Sequence, residues 1–320
     1  MNMKRMIAGV FLGMAVSAGA WAAEAFPNKP ISLVLGFPPG GGATGMLRLI
    51  AAEMQNDLGV PVVVEFRAGA NGSIAAGRLA KAAPDGYSLM MMASTHIVNG
   101  FSYKDLGYET LSDFSPVAGM YSSAFILTAN INFPVNNVKE LITNAKANPN
   151  KITYGSAGIG SMNHLFQVAL DEQVGMHMMH VPYQGGGPSL TDLLGGQINL
   201  LMQSMPQGLP LVLDKRVKAL AVTSLKRSPA LPNVPTLSES GAPGYSGEIW
   251  YGILGPKGIP PAIKRRLEQS AQKALQTPKV KAFLDETASV ALAGTGDEMN
   301  KMMIDEIQKW KPLFDKGLIK

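Results

Sequence analysis

Between residues 31 and 223 the chain is divided by apolar runs too continuous for a half-exposed sheet. "ISLVLGF" (31–37) precedes the helical spacing of "MLRLIAAEMQ" (46–55), "VPVVVEF" (60–66) precedes "SIAAGRLAKAA" (73–83), and "YSLMMMAS" (87–94) follows. Strands that are apolar at consecutive positions are buried on both faces, the condition of a parallel sheet covered by helices. Their alternation with helices predicts an α/β fold.

The pattern then restarts. "AFILTAN" (124–130) reads as a strand, and Asn136 or Asn137 is placed to cap a helix over "VKELITNAKANP". The strand "KITYGSAG" enters the glycine-rich turn "GSAGIGS" (155–161) and the helix "MNHLFQVALDEQ". "HMMHVPY", a helix around "SLTDLLGG" and the strands "QINLLMQ" and "VKALAVT" complete this unit. A Pro-, Gly- and Ser-rich stretch (227–248) reads as an ordered connection, "IWYGILGP" as one more strand, and the rest as amphipathic helices with little sheet material. The 320 residues exceed what a single core usually fills, about 250–300. The reading is therefore two lobes, each a mostly parallel sheet flanked by helices, with a ligand cleft between them. Residues 23–122 plus 245–320 form the first lobe and 123–244 the second, with chain crossings near 122–126 and 222–250.

The N-terminus fixes the compartment. Lys4 and Arg5, an apolar stretch from Met6 to about Ala18, and Ala20-Trp21-Ala22 predict a signal peptide cleaved after residue 22. The apolar part is short for a bilayer span, so the mature chain is expected to be exported and soluble. With no cysteine in the chain, neither disulfides nor thiolate metal sites are available. The net charge of +5 comes without a dense basic run, which argues against a nucleic-acid partner.

Gly40-Gly41-Gly42-Ala43-Thr44-Gly45 satisfies G-x-G-x-x-G, and Glu65 stands where a ribose-binding acid would. The context fails: Phe37-Pro38-Pro39 separates strand from glycines, Met46 occupies the phosphate-loop lysine position, and an exported protein has no nicotinamide pool. No nucleophile elbow or metal-binding histidine spacing is present, so no catalytic residue, cofactor or metal is assigned. What remains is anion chemistry. Turns at Gly40–Gly42 and Ser156–Gly160, each opening a helix, present unpaired amides that bind carboxylate as readily as phosphate. Such turns also end strands for purely structural reasons.

"FPNKPISLVLGFPPGGGATGMLR", "FRAGANGSIAAGRLAKAAPDGYSLM", "LSDFSPV", "ITYGSAGIGSMNHL", "HVPYQGGGPSLTDLLGGQ", "VKALAVTSLKRSPALPNVPTLSESGAPGY" and "WYGILGP" occur in this order. Over essentially the whole mature chain they resemble the Bug family, periplasmic receptors of tripartite tricarboxylate transporters. The resemblance implies a type II periplasmic-binding-protein fold that closes on a small carboxylate, no enzymatic activity, and a monomer. It further implies delivery to the large and small membrane subunits of such a transporter, which orphan receptors of the family lack. It places the ligand at Phe37, Pro39, Gly40, Gly41, Gly42 and Thr44, with Ala70, Ser94 and Thr95 bordering the pocket. From the second lobe it places Ser156, Ala157, Gly158, Gly160, Ser161 and His164, then Tyr183, Gln203 and Ser204; Trp250 is placed near the hinge. Thr44 and Gln203 stand where relatives commonly carry acids. Losing those charges favours a di- or polycarboxylate or an aromatic acid over an amino acid, whose ammonium wants an acidic partner. Competing readings are a ligand-presenting sensor for a membrane kinase and a secreted hydrolase using Ser156 or Ser161.

Overall fold

The computed structural model describes residues 26–40 and 42–319; the export segment read at residues 1–22, and Gly41, lie outside them. Three strands, β1 (Ile31–Leu35), β2 (Val62–Phe66) and β3 (Ser88–Ala93), pair in parallel in the order β2-β1-β3. Helices α1 (Thr44–Leu58), α2 (Ser73–Leu79) and α3 (Thr95–Ser102) follow these strands in turn. α1 buries Met46, Leu47, Ile50 and Met54 in the same core as Ile31, Leu33 and Leu35 of β1.

The frame of the molecule is β4 (Phe114–Asn130), 17 residues long. Up to Ala124 it pairs antiparallel with β9 (Glu248–Pro256) along one edge and β10 (Ser289–Thr295) along the other. From Phe125 onward its partners are β7 (Leu200–Ser204) and β8 (Val217–Val222). β7 pairs in parallel with β5 (Thr153–Ser156), and β5 with β6 (Met179–Pro182). Around these strands lie α4 (Val138–Ala147), α5 (Met162–Val174), α6 (Gly186–Leu194) and α7 (Met205–Leu213). The chain ends in α8 (Pro261–Gln276), α9 (Pro278–Glu286) and α10 (Gly296–Asp315). α8 packs on α1 and β4, and Arg266 and Lys273 bind Asp57 of α1; α10 packs on β4 and α3. The C-terminal helices thus return to the first group of strands.

The sheet is more mixed than the apolar runs predict: among the described residues four pairings are parallel and five antiparallel. A continuous apolar run reports burial on both faces, and the long β4, paired along both edges, satisfies that without being parallel. The first half of β4 (114–123) escapes a sequence reading because Pro116, Gly119, Ser122 and Ser123 interrupt the run. β10 escapes it because its Val290 faces solvent, 61% exposed. α7 carries Pro206 in its first turn and Pro210 inside, which masks a helix in sequence.

Where β4 changes partners, the returning chain is tied to it. Phe125 N–H donates to Thr223 Oγ1 (2.8 Å) and Thr223 N–H to Phe125 O (2.9 Å). Thr223 Oγ1–H donates to Gly247 O (2.5 Å), and Gly247 N–H to Thr223 O (2.9 Å). Thr223 is fully buried, so no water substitutes for its hydroxyl. Thr223→Val keeps the shape but leaves Phe125 N–H and Gly247 C=O unpaired. It should lower the unfolding free energy by about 2–4 kcal/mol in urea titration, and Thr223→Ser by under about 1 kcal/mol.

Candidate functional site

The carboxyl ends of β1, β2 and β3 open into residues 36–43, 67–72 and 94; those of β5, β6 and β7 open into 157–161, 183–185 and 204. Strands that run in parallel bring their carboxyl ends to one edge of a sheet, where open α/β folds bind ligands. Here two such edges face each other. Asn71 Nδ2 donates to Ile159 O across the gap (2.9 Å), and Asn99 Nδ2 donates to Asn71 O (3.1 Å) to hold that residue in its left-handed conformation. A Cβ on Gly42 would lie 2.8 Å from Ser204 Oγ, and one on Gly160 would lie 2.5 Å from Ser102 Oγ. Glycine at these two positions is what lets the edges meet.

Helices α1, α3, α5, α6 and α7 begin at these edges. None has an acidic residue in its first turn, and none has a side-chain hydrogen bond at its cap. Outside the cleft the starts are mixed: α4 and α10 are capped by Asn137 and Thr295 and carry Glu140 and Glu298 in their first turns, while α8 and α9 have neither. Uncompensated helix starts carry partial positive charge and free N–H groups. The loops facing the gap contain one charged side chain, Arg67, which Glu65 holds at 2.7 Å. Glu65 also accepts from Ser32 Oγ (2.6 Å), so the acid a nucleotide reading needs is spent on packing β1 to β2. Any anion here is met by amides and hydroxyls.

The first turn is closed by Thr44, whose Oγ1 accepts from Gly40 N–H (3.1 Å). Phe37 is half-buried, while Pro39, Gly40 and Ala70 are exposed. Ser94 and Thr95 are buried at the start of α3, and Ser94 Oγ has no partner among the described residues. Trp250 O accepts from Ser94 N–H (2.8 Å), which ties β9 to this corner.

The second turn is internally bonded. Ala157 N–H donates to Asn163 Oδ1 (3.2 Å), Gly158 N–H to Ser156 Oγ (3.1 Å) and Gly160 N–H to His164 Nδ1 (3.1 Å). Ser161 Oγ–H reaches Asn163 Oδ1 (2.7 Å). The amides of Ala157, Gly158 and Gly160, expected to hold a ligand, are therefore occupied in this conformation, and among the described residues the N–H groups without acceptors are those of Ile159 and the first turn of α5. His164 is buried behind the turn rather than facing the cleft. Its ring stacks on His180 (centroids 3.9 Å apart, 10° between planes), and His180 Nε2 lies 2.6 Å from Ser156 Oγ. The sequence gives no hint of a base beside Ser156, because His180 arrives from a different strand. Ser156 is fully buried and its hydroxyl is bound within the turn, so the contact is structural.

Two further sequence-designated positions are held by their own surroundings. Tyr183 donates its hydroxyl to Asp192 Oδ2 (2.6 Å), and burial together with that carboxylate raises it to about 12. Tyr183 is half-buried, and its ring lies where it would contact a Cβ on Gly155. Gln203 is buried beside Gly208, with both amide atoms unpartnered among the described residues. Ser204, by contrast, stands at the cleft opposite Gly42. Asn71 lies in the "AGANG" segment (68–72) that the sequence places at the pocket's border, whereas Ser102, Asn163, His180 and Gln207 shape the site without being singled out by sequence. Only the polar character of "GSMNH" hints at one of these four, Asn163.

Residues 46–318 match the model of the tripartite tricarboxylate transporter family receptor. The chain belongs to this family. It is 35% identical over 315 residues to Protein BugT of Bordetella pertussis, covering 97% of this chain and 96% of the relative. The structure of the periplasmic binding protein BugD superposes with a TM-score of 0.86 at 34% identity, over 92% of this chain and 99% of that one. R. palustris Rpa4515, solved with adipate, gives 0.87 at 31% identity over 92% and 99%. MatC from Rhodopseudomonas palustris, solved with bound malate, gives 0.84 at 29% identity over 90% and 100%. The fold is that of the two-lobed periplasmic binding proteins, and the chain is a solute-binding receptor of the Bug kind, not an enzyme.

Burial sets the acid response of this receptor. It lowers His164 to about 3, with the His180 ring contributing, and lowers His180 and His96 to about 4. The unfolded chain takes up these three protons near pH 6.5, so the stabilisation is full above that pH and is lost as pH falls toward 4. Asp171, pushed up to about 7 by burial against a Gln167 hydrogen bond, acts oppositely: its contribution is full below about 3.8 and lost as pH rises. Each group is worth about 1.4 kcal/mol per pH unit, so net stability should fall by about 2–3 kcal/mol per unit between pH 6 and 5. Asp171→Asn should steepen that fall; urea titrations at several pH values measure both.

Proposed function

We propose that this receptor captures a small carboxylate in the periplasm by closing its two lobes and delivers it to a tripartite tricarboxylate-type membrane transporter. The observation that carries the reading is the set of five helix starts at the facing sheet edges, all without acidic or side-chain compensation. Such a cleft is electropositive without lysine or arginine and suits an anion held by amides, hydroxyls and water. Adipate in Rpa4515 and malate in MatC support a dicarboxylate, and the near absence of charged side chains in the cleft loops disfavours an amino acid. The lobes are assigned as 23–122 plus 245–320 and 123–244, a division supported by the exchange of β4 partners between Ala124 and Phe125. Gly40, Gly42, Thr44, Ser161 and Ser204 are the sequence-designated positions best placed for contact. The mature receptor acts as an exported monomer after removal of residues 1–22.

A thermal-shift and calorimetry panel tests this. Adipate, malate, citrate, terephthalate or nicotinate should raise the midpoint by several degrees, because a ligand bound only by the folded state adds its binding free energy. Tight binding of aspartate or glutamate alone would overturn the reading. In the same assay Gly42→Val should weaken the best acid by about tenfold or more, by wedging the first turn away from Ser204. Unchanged affinity in that variant would argue against lobe closure at this contact.

A further inference from the structure

We propose that the stacked pair His164–His180 is the positioning device of the second-lobe turn, gripping residues 156–160 at both ends so that the first amides of α5 face the cleft. The inference rests on the carboxylate reading above. His164 lies in the first turn of α5, and His180 on β6 is the register partner of Tyr154 on β5. Tyr154 stacks on the outer face of the pair, 4.9 Å from His180 with 18° between planes. The rings therefore have a fixed orientation, and each directs one nitrogen at one end of the turn.

At the far end, Gly160 N–H donates to His164 Nδ1, so that nitrogen carries the lone pair and the ring hydrogen sits on Nε2. At the near end, Ser156 Oγ accepts from Gly158 N–H, donates to Gly158 O (3.1 Å) and lies 2.6 Å from His180 Nε2. All three contacts are satisfied together when His180 Nε2–H is the donor and Ser156 Oγ accepts twice. Gly158 (φ +126°) and Gly160 (φ +74°) are in conformations that a free glycine turn leaves readily, so the turn needs such anchors. With both ends held, Ile159 O is aimed at Asn71 Nδ2. The N–H groups of Met162 and Asn163 are left without acceptors among the described residues. A pair present only for packing would need its rings and not its nitrogens.

That difference is the test. His164→Phe keeps the stacked ring and removes the Nδ1 acceptor; His164→Asn removes the ring and keeps an acceptor oxygen at the δ position. With adipate as the probe in calorimetry, Phe should leave the thermal midpoint near the wild-type value while weakening binding by about tenfold or more. Asn should lower the midpoint yet recover most of the affinity. Wild-type affinity in the Phe variant, or lost affinity in a folded Asn variant, would overturn the proposal. The ¹⁵N spectrum of the wild-type histidines decides independently of any ligand or variant. His164 must show an unprotonated Nδ1 and a protonated Nε2 at neutral pH, and the reverse tautomer refutes the grip. If the wild type binds neither adipate nor any other acid of the panel, the carboxylate reading fails, while the tautomer still decides whether the pair holds the turn.

Discussion

The hydrogen bonds along the two edges of β4 are the constraint on which both lobes depend. A buried 17-residue strand has to satisfy its N–H and C=O groups over its full length. β9 and β10 serve the first part, and β7 and β8 the second. The strand is thereby a member of two sheets, exchanging partners at Ala124–Phe125. Thr223 links that point to the returning chain at Gly247, so both connections between the halves share one buried node.

This frame decides where the helix starts go. β1, β2 and β3 point their carboxyl ends the same way, as do β5, β6 and β7, and the antiparallel joints through β4 and β9 turn the two sets toward each other. The helices that follow these strands inherit that direction, so their partial charges add in one cleft instead of being spread over the surface. Capping residues and first-turn acids appear on α4 and α10, away from the cleft, although α8 and α9, which also start outside it, lack them too. Glycines 42 and 160 complete the arrangement by removing the side chains that would keep the edges apart.

The glycine turns, the α/β alternation and the helices they open are legible in the sequence because each is local: a strand's burial and a helix start are written within ten residues. The family resemblance, carried by motifs over the whole mature chain, agrees with the model match and the superposed structures. What is not legible depends on residues far apart. That Thr44 Oγ1 also closes its own turn, by accepting from Gly40 N–H, is visible only in the structure. His164 is turned inward because His180, sixteen residues away on another strand, offers it a stacking face. Tyr183 is taken by Asp192, and Gln203 is buried beside Gly208.

The sequence by itself determined that this chain makes buried strands followed by helices without first-turn acids, two of them opened by glycine-rich turns, since those properties follow from hydrophobic periodicity and residue type; that Ser94, Ser161 and Ser204 leave their helix starts uncapped is visible only in the structure. Only the tertiary structure decided which amides remain free. Ala157, Gly158 and Gly160, written in the sequence as donors, are consumed by Asn163, Ser156 and His164, and the N–H groups without acceptors among the described residues are those of Ile159 and the first turn of α5. The physical reason is that an amide's availability depends on every acceptor within reach, and those acceptors are assembled by pairing strands that are distant in the chain.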